Sequence, residues 1–296
     1  VTRYRVVHET RYRYSAPVSL GHHLAHLGAL DTAGQRCEGT RIEIDPAPAV
    51  LREWTDFFGN RVTYFSVETA HERLTVRAVN EVALAAVPGP AGEAPGLPWE
   101  AARDRIASPI GPRDLAARDF AIDSPLVAVD PRVRDYAAPS FPAGRPLVEA
   151  VEDLMSRIHR DFAYDPELTT VSTPLSEVLD HRRGVCQDFA HLAIACARAR
   201  GLAACYVSGY LETDPPPGVA RLTGADASHA WFSVYCPGAG WLDFDPTNNQ
   251  VPIDRHITLA RGRDYADVAP LRGVLYGGGA HTLEVAVTVE RVGNGG

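Results

Sequence analysis

The stretch RGVCQDFAHLAIACARARG, residues 183–201, decides how the whole chain reads. From Cys186 to Arg200 only Asp188, Arg198 and Arg200 carry charge, and Phe189, Ala190, Leu192, Ala193, Ile194, Ala195, Cys196 and Ala197 form an apolar surface nearly all round. A helix of that kind is buried in a core rather than laid on a surface. Gly201 stands where a helix C′ glycine belongs. Cys186 therefore falls in the first turn of a buried helix, where free N–H groups and the helix dipole favour negative charge. A free cysteine ionises near 8.5, and such a placement lowers that by about one to several units. A reactive thiolate is one reading of Cys186, and a buried inert cysteine is the other. His191 lies five residues on and points about 140° away from Cys186 at 100° per residue, so it reads as structural. Asp188 reads as a partner for free N–H groups or for Arg182 or Arg183.

Ahead of this helix the chain divides by pattern. In residues 1–87, Tyr4, Val6, Tyr12 and Tyr14 alternate with Arg3, Arg5, Arg11 and Arg13, the period of half-buried strands. Further strands are expected over about 36–44, 51–57, 61–68 and 72–84, with Gly59-Asn60 as a hairpin turn. This part reads as an antiparallel sandwich or barrel. His22, His23 and His26 lack a carboxylate or cysteine at useful spacing, and neighbouring histidines on a strand face opposite ways, so they read as exposed polar positions rather than a metal site. VPGPAGEAPGLP, residues 87–98, is the expected linker. A helix is expected from Leu147 to about Phe162, and a short one after Thr173-Pro174, with Thr173 as N-cap.

Behind the cysteine helix the period returns to two. Strands are expected over 203–211, Ser228–Cys236 and Trp241–Asp245, with 281–289 as the last. The loop at 212–227 is long enough to be functional or mobile. His229 opens one strand of a hairpin and Asp245 closes the other. If Tyr235 pairs with Trp241, His229 lies opposite Thr247 with Asp245 as its diagonal neighbour on the same face, roughly 4.5–8 Å away. A slip of one residue would separate them. Asp243 shares the face and is the alternative partner for His229.

Composition narrows the class. The chain has 296 residues, a net charge of −8 and a pI near 5.8, against a nucleic-acid footprint. Five cysteines, at 37, 186, 196, 205 and 236, fit neither a disulfide framework nor a zinc ribbon. No metal or cofactor is called for. No run is long enough for a membrane span, and VTRYRVVHET lacks a signal-peptide core, so the expectation is a cytoplasmic protein with no membrane or nucleic-acid partner.

GVCQDFAHLAIACARARGLAACYVSGYL, then SHAWFSVY, then WLDFDPTNN, resemble the core of the bacterial transglutaminase-like proteins, many of them described as proposed cysteine proteases. The resemblance extends over nearly the whole chain, since the β-rich first part looks like the N-terminal domain that accompanies this core and GRDYADVAPLRGVLYGGG like its C-terminal stretch. GLAAC departs from the proline-containing turn of many relatives, at no catalytic position. The resemblance implies an α+β fold, a β-rich N-terminal domain before a papain-like transglutaminase core with its nucleophile helix on an antiparallel sheet. Its catalytic Cys, His and Asp fall on Cys186, His229 and Asp245. The expected divisions are 1–90 for the first domain, 91–145 for a linker and helical connection, 146–255 for the catalytic core, and 256–296 for a C-terminal loop and final strand.

That chemistry is acyl transfer from the amide of a peptide or protein, through a thiol, a base and a group that orients the base. A second oxyanion donor beside the Cys186 N–H is expected from Tyr164 or Gln187, although Tyr164 reads more readily as a packed aromatic. Water as acceptor gives a peptidase or amidase, the expectation here. An amine acceptor gives a transglutaminase, and a non-catalytic binding protein on the same fold is the third reading.

Overall fold

The computed structural model describes residues 1–85, 96–168, 170–171, 173–213 and 228–292. Most of the expected linker and of the loop at 212–227 lies outside these. The chain opens with β1 (Thr2–Ala25), β2 (Gln35–Asp45), β3 (Val50–Thr55), β4 (Arg61–Val67) and β5 (His71–Leu84). Helices α1 (Trp99–Ala107), α2 (Pro112–Arg118), α3 (Pro131–Ala137) and α4 (Leu147–Asp161) follow. Then come β6 (Ala163–Tyr164), α5 (Leu175–His181), β7 (Arg183–Gly184) and the cysteine helix α6 (Cys186–Arg198). The chain continues through β8 (Ala204–Leu211), β9 (Ser228–Cys236), β10 (Gly240–Phe244), β11 (His256–Gly262), α7 (Tyr265–Val268), β12 (Leu271–Gly277) and β13 (His281–Val292).

The fold is α+β, with a β-rich first part and helices packed on a second antiparallel sheet. The first sheet has seven strands and is organised by β1. Its leading half, Arg3 to Arg13, lies between β5 and β13, and its trailing half, Gly21 to Ala25, lies between β4 and β12. The register breaks between Arg13 and Val18, around Ala16-Pro17. Proline has no N–H to give a ladder, so one long strand bends there and serves two directions. The alternation read from the sequence holds, with Tyr4, Val6, His8, Thr10 and Tyr14 all inward and buried. Val18, Phe65, Val67, Leu74 and Val76 fill the curl of the sheet. Gly59 makes the expected turn at φ +87°, a conformation that suits glycine.

The histidines near the start depart from expectation. His23 and His26 are buried rather than exposed. His23 stacks on Phe65 at 4.7 Å, and His26 Nδ1 bonds the Ala269 carbonyl at 3.1 Å. The bend in β1 turns this stretch toward β12 and β4, which a local reading of the sequence does not include. At α5 the helix starts one residue later than expected. Pro174 holds the cap position, while the Thr173 hydroxyl accepts the Thr170 N–H at 2.8 Å instead.

The second sheet runs β10-β9-β8-β11, all antiparallel. Helix α6 packs on it and is buried on every side, with α3, α4 and α5 around it. Burying its Leu192 and Ile194 contributes roughly 1.5–3 kcal/mol each. The helix ends as expected, with Gly201 at φ +75° and the Leu202 N–H returning to Ala197 O at 3.1 Å. The stretch 256–296 divides between the sheets, β11 joining the second and β12 and β13 the first.

The two sheets are fastened at β8 and β11. Tyr4, Val6, Val82, Val287 and Val289 pack on Tyr210, Ile257 and Leu259. The free edge of β11 is covered by two amides of the first sheet, a device that satisfies an unpaired strand. Gln35 exchanges bonds with Thr258 at 2.8 Å each way, and Asn60 does so with Arg261 at 2.8 and 2.7 Å. On β8, a Cβ at Gly209 would stand 2.1 Å from the Ile257 carbonyl oxygen and 2.5 Å from the Trp231 ring. Gly209→Ala is therefore expected to lower the thermal midpoint by about 5–10 °C through overpacking, measured by calorimetry.

Candidate active site

The approach to Cys186 is fixed by backbone. β6 and β7 pair in parallel, Tyr164 against Gly184, and the Asp165 N–H bonds Gly184 O at 2.9 Å. The Asp188 carboxylate folds back to accept the Val185 N–H at 2.8 Å, the role expected of it. A Cβ at Gly184 would lie 2.8 Å from that carboxylate oxygen, so glycine is required for the fold-back. These bonds set Cys186, half-buried, as the first residue of α6.

Strand β9 brings His229. The pairing of Tyr235 with Trp241 is the one observed, and the ladder continues through Ser233–Asp243 to Phe232–Phe244. Asp245 then leaves the ladder and pairs with Gln250 across the Asp-Pro-Thr turn. Its Oδ2 lies 2.8 Å from His229 Nε2. The Cys186 sulfur lies within electrostatic reach of the same ring. Nε2 being taken up by Asp245, Nδ1 is the nitrogen left to the sulfur. Cys186, His229 and Asp245, far apart in sequence, are thus brought to one place, with a hydrogen bond joining the last two.

Asp245 is fully buried and heavily solvated by protein. Oδ1 accepts the N–H groups of Thr247 (3.0 Å) and Asn248 (3.2 Å). Oδ2 accepts from His229, from His256 Nε2 (3.0 Å) and from Asn248 Nδ2 (2.8 Å). Burial alone would raise its pKa, but these bonds and the charge of His229 hold it far below the usual carboxylate range. For His229, burial opposes protonation, yet the bonds to Asp245 and Cys186 and their negative charges outweigh it and raise the ring to about 10.

The other candidates sort by contact. Asp243 takes a hydrogen bond from Ser233 and an ion pair from Arg261, and so is not the partner of His229. His191 is buried and accepts the Tyr265 N–H at 3.1 Å, and burial lowers it to about 4, in keeping with its structural reading. Tyr164 is 58% exposed and not a packed aromatic, because β6 ends at the surface. Partial burial and then the charge of Cys186 raise its phenol, which therefore sits in the electrostatic reach of the sulfur. Gln187 spends an N–H on the Val171 carbonyl at 3.0 Å, holding that segment to the helix.

Sequence reasoning missed His256 and Asn248. Asn248 lies in the DPTNN segment already singled out, three residues past Asp245, within reach of an Asx-type turn. His256 has no local signal, since it arrives on β11, at the opposite edge of the sheet from β10. Its ring packs edge-on to Trp231, 5.0 Å between centroids, and the Trp231 ring fills the room left by Gly209. His229, Asp245 and His256 present ligand atoms within 4.8 Å of one another, a set that could take a metal ion once both imidazoles gave up the protons they donate to Asp245.

Two family profiles match the chain, the bacterial transglutaminase-like N-terminal region over residues 4–83 and the transglutaminase-like superfamily over 135–246. Uncharacterized proteins of Mycobacterium bovis and Mycobacterium tuberculosis are 48% identical over 296 positions, covering 97% of this chain and 92% of theirs. The chain belongs to the transglutaminase-like superfamily.

Among members of this superfamily, a protein-glutamine γ-glutamyltransferase of Pseudomonas aeruginosa is 28% identical over 174 positions, 51% of this chain and 26% of that protein. In fold, a proposed cysteine protease from Cytophaga hutchinsonii superposes with a TM-score of 0.78 at 21% identity, covering 99% of this chain and 92% of that one. The transglutaminase-like region spans Cys186, His229 and Asp245, while His256 lies beyond its matched end. No helix among the described residues is long and apolar enough to cross a membrane.

Proposed function

We propose that this protein is a thiol-dependent acyl-transfer enzyme acting on amide bonds of peptides or proteins, with Cys186 as nucleophile, His229 as acid–base group and Asp245 as its orienting carboxylate. The single observation that carries this reading is the 2.8 Å hydrogen bond between His229 and the buried Asp245, with Cys186 at the start of α6 within electrostatic reach of the same ring. A protonated His229 stabilises a thiolate beside it, and the thiolate is the attacking form. The sulfur adds to the carbonyl carbon, His229 gives its proton to the leaving amine, and a thioester to Cys186 remains. Asp245 keeps the ring in one tautomer and orientation throughout. His256 and Asn248 donate to the same carboxylate and hold it charged and in place.

The oxyanion meets the Cys186 N–H at the start of α6, and the Tyr164 phenol is the second donor in this reading. Tyr164 is favoured over Gln187 because its exposed phenol is within electrostatic reach of the sulfur whereas the Gln187 amide is tied to Val171. Tyr164→Phe is expected to lower the acylation rate about 100-fold with little change in thermal midpoint. An unchanged rate would return the role to another donor.

Water is the acceptor in our reading, which makes the protein a peptidase or amidase. The likeness to a protein-glutamine γ-glutamyltransferase favours the second reading, transfer to an amine, with the same three residues. Glutamine peptides incubated with and without a primary amine, read by mass spectrometry, separate the two. Deamidation or cleavage should exceed amine incorporation, and the reverse outcome makes it a transamidase. A cytoplasmic site fits the five cysteines, all of them unpaired.

A further inference from the structure

A groove lined by neither Cys186 nor His229 runs between the turn that joins β1 to β2 and strand β10. Its wider end, about 630 Å³, is walled by Phe58, Phe120, Tyr235 and Trp241 together with Arg113 and Arg261. Its narrower end, about 320 Å³, continues past Trp241 and Asp243 to His256. The two parts adjoin at Thr32, Ala33, Gly240, Trp241 and Arg261, which line both. Clefts of this volume, where two packed units meet and aromatic side chains line the wall, are of the kind that takes small organic ligands.

The lining has a consistent chemistry. Phe58 touches Phe120 (5.5 Å between centroids), Phe120 touches Trp241 (5.0 Å), and Trp241 touches Tyr235 (5.5 Å), a continuous run of ring faces and edges. Phe57 stands at the rim, 79% exposed. Arg261 commits only Nη2, to Asp243 at 3.2 and 3.3 Å, and its Nε has no acceptor among the described residues. The carboxylates of the groove are engaged already, Asp31 by Arg61 and the Cys37 N–H, and Asp243 by Ser233 and Arg261. Arg113 is left as an exposed guanidinium without a carboxylate partner among the described residues.

We propose that this groove is a binding site for an aromatic carboxylate, its ring on Trp241 and Phe120 and its carboxylate between Arg261 and Arg113. Arginine suits that role because its planar fork matches a carboxylate and its charge persists at any working pH. A free aromatic acid and the C-terminal aromatic residue of a peptide present the same chemistry.

The test is calorimetric titration of the full chain with N-acetyl-phenylalanine, its amide, and a pentapeptide of four alanines ending in phenylalanine with a free carboxylate. Proteins compared are the wild type, Arg113→Gln, Trp241→Leu and Cys186→Ala. The acid should bind saturably at one site, at least 10-fold tighter than the amide. Arg113→Gln should weaken it at least 5-fold without moving the thermal midpoint, Trp241→Leu should weaken it too, and Cys186→Ala should leave it unchanged. Pentapeptide binding as tight as the acid assigns the site to peptide termini, and binding by the acid alone assigns it to small molecules. Absence of saturation by about 10 mM, equal binding of acid and amide, indifference to both groove variants, or loss in Cys186→Ala would overturn the proposal.

Discussion

Alkylation of Cys186 by iodoacetamide at pH 6 should slow about 100-fold when His229 is replaced by alanine. A free cysteine ionises near 8.5, so an isolated sulfur at pH 6 is thiolate to well under one part in a hundred. A ring whose partners raise its pKa supplies a counter-charge to a thiolate beside it. Part of the gain is offset, because a thiolate stabilised in this way is intrinsically less nucleophilic. Amide turnover should suffer more than alkylation, since alkylation needs no proton delivered to a leaving amine. A loss of roughly 10⁴–10⁶ is the range seen when one member of such a unit is removed. Pseudo-first-order alkylation with peptide mapping gives the first figure. Equal rates in the two proteins would mean that Cys186 is not activated and would favour the reading as a non-catalytic binding protein.

Asp245→Ala is expected to cost about 3–5 kcal/mol of stability, a fall of roughly 10 °C in thermal midpoint. The substitution strands His229, His256 and the Asn248 amide, three donors aimed at one buried point. Asp245→Asn keeps the shape and should be milder in stability, but it cannot accept from both rings and should lower turnover about 10⁴-fold by releasing the imidazole tautomer. His256→Leu removes one donor and leaves the charge paired, so its stability loss should be the smallest of the three. The pH dependence follows in sign. A histidine raised above its ordinary 6.5 adds stability that is complete below that value and is lost as the pH rises toward about 10. Asp245, held below 3.8, adds stability present above that value and lost only in strong acid. Thermal melts of wild type and Asp245→Ala between pH 5 and 10 should therefore converge toward the alkaline end.

Much of this was legible in residues 183–201 and in the two strands that follow. An all-round apolar helix can only be a core helix, and a period-two register fixes which side chains share a face. Those two rules set Cys186 on a helix start and, once Tyr235 pairs with Trp241, His229 and Asp245 on one face of a hairpin. What escaped depends on contacts between elements distant in the chain. His256 meets Asp245 only because β11 joins the sheet at the far edge and Gly209 leaves room for the Trp231 ring that packs beside it. His23 and His26 are buried only because β1 bends at Ala16-Pro17 and pairs with strands on both sides. The covering of β11 by Gln35 and Asn60 is likewise side chain standing in for strand, and carries no periodic signature.

An NMR titration of the His229 ring in wild type and in Cys186→Ala tests the central assertion most directly. One hydrogen-bonded unit of sulfur, imidazole and carboxylate predicts a ring still protonated at pH 8 in the wild type, and a clearly lower titration once the sulfur is gone. A wild-type ring that titrates at its ordinary 6.5, or one that ignores the loss of Cys186, would contradict it.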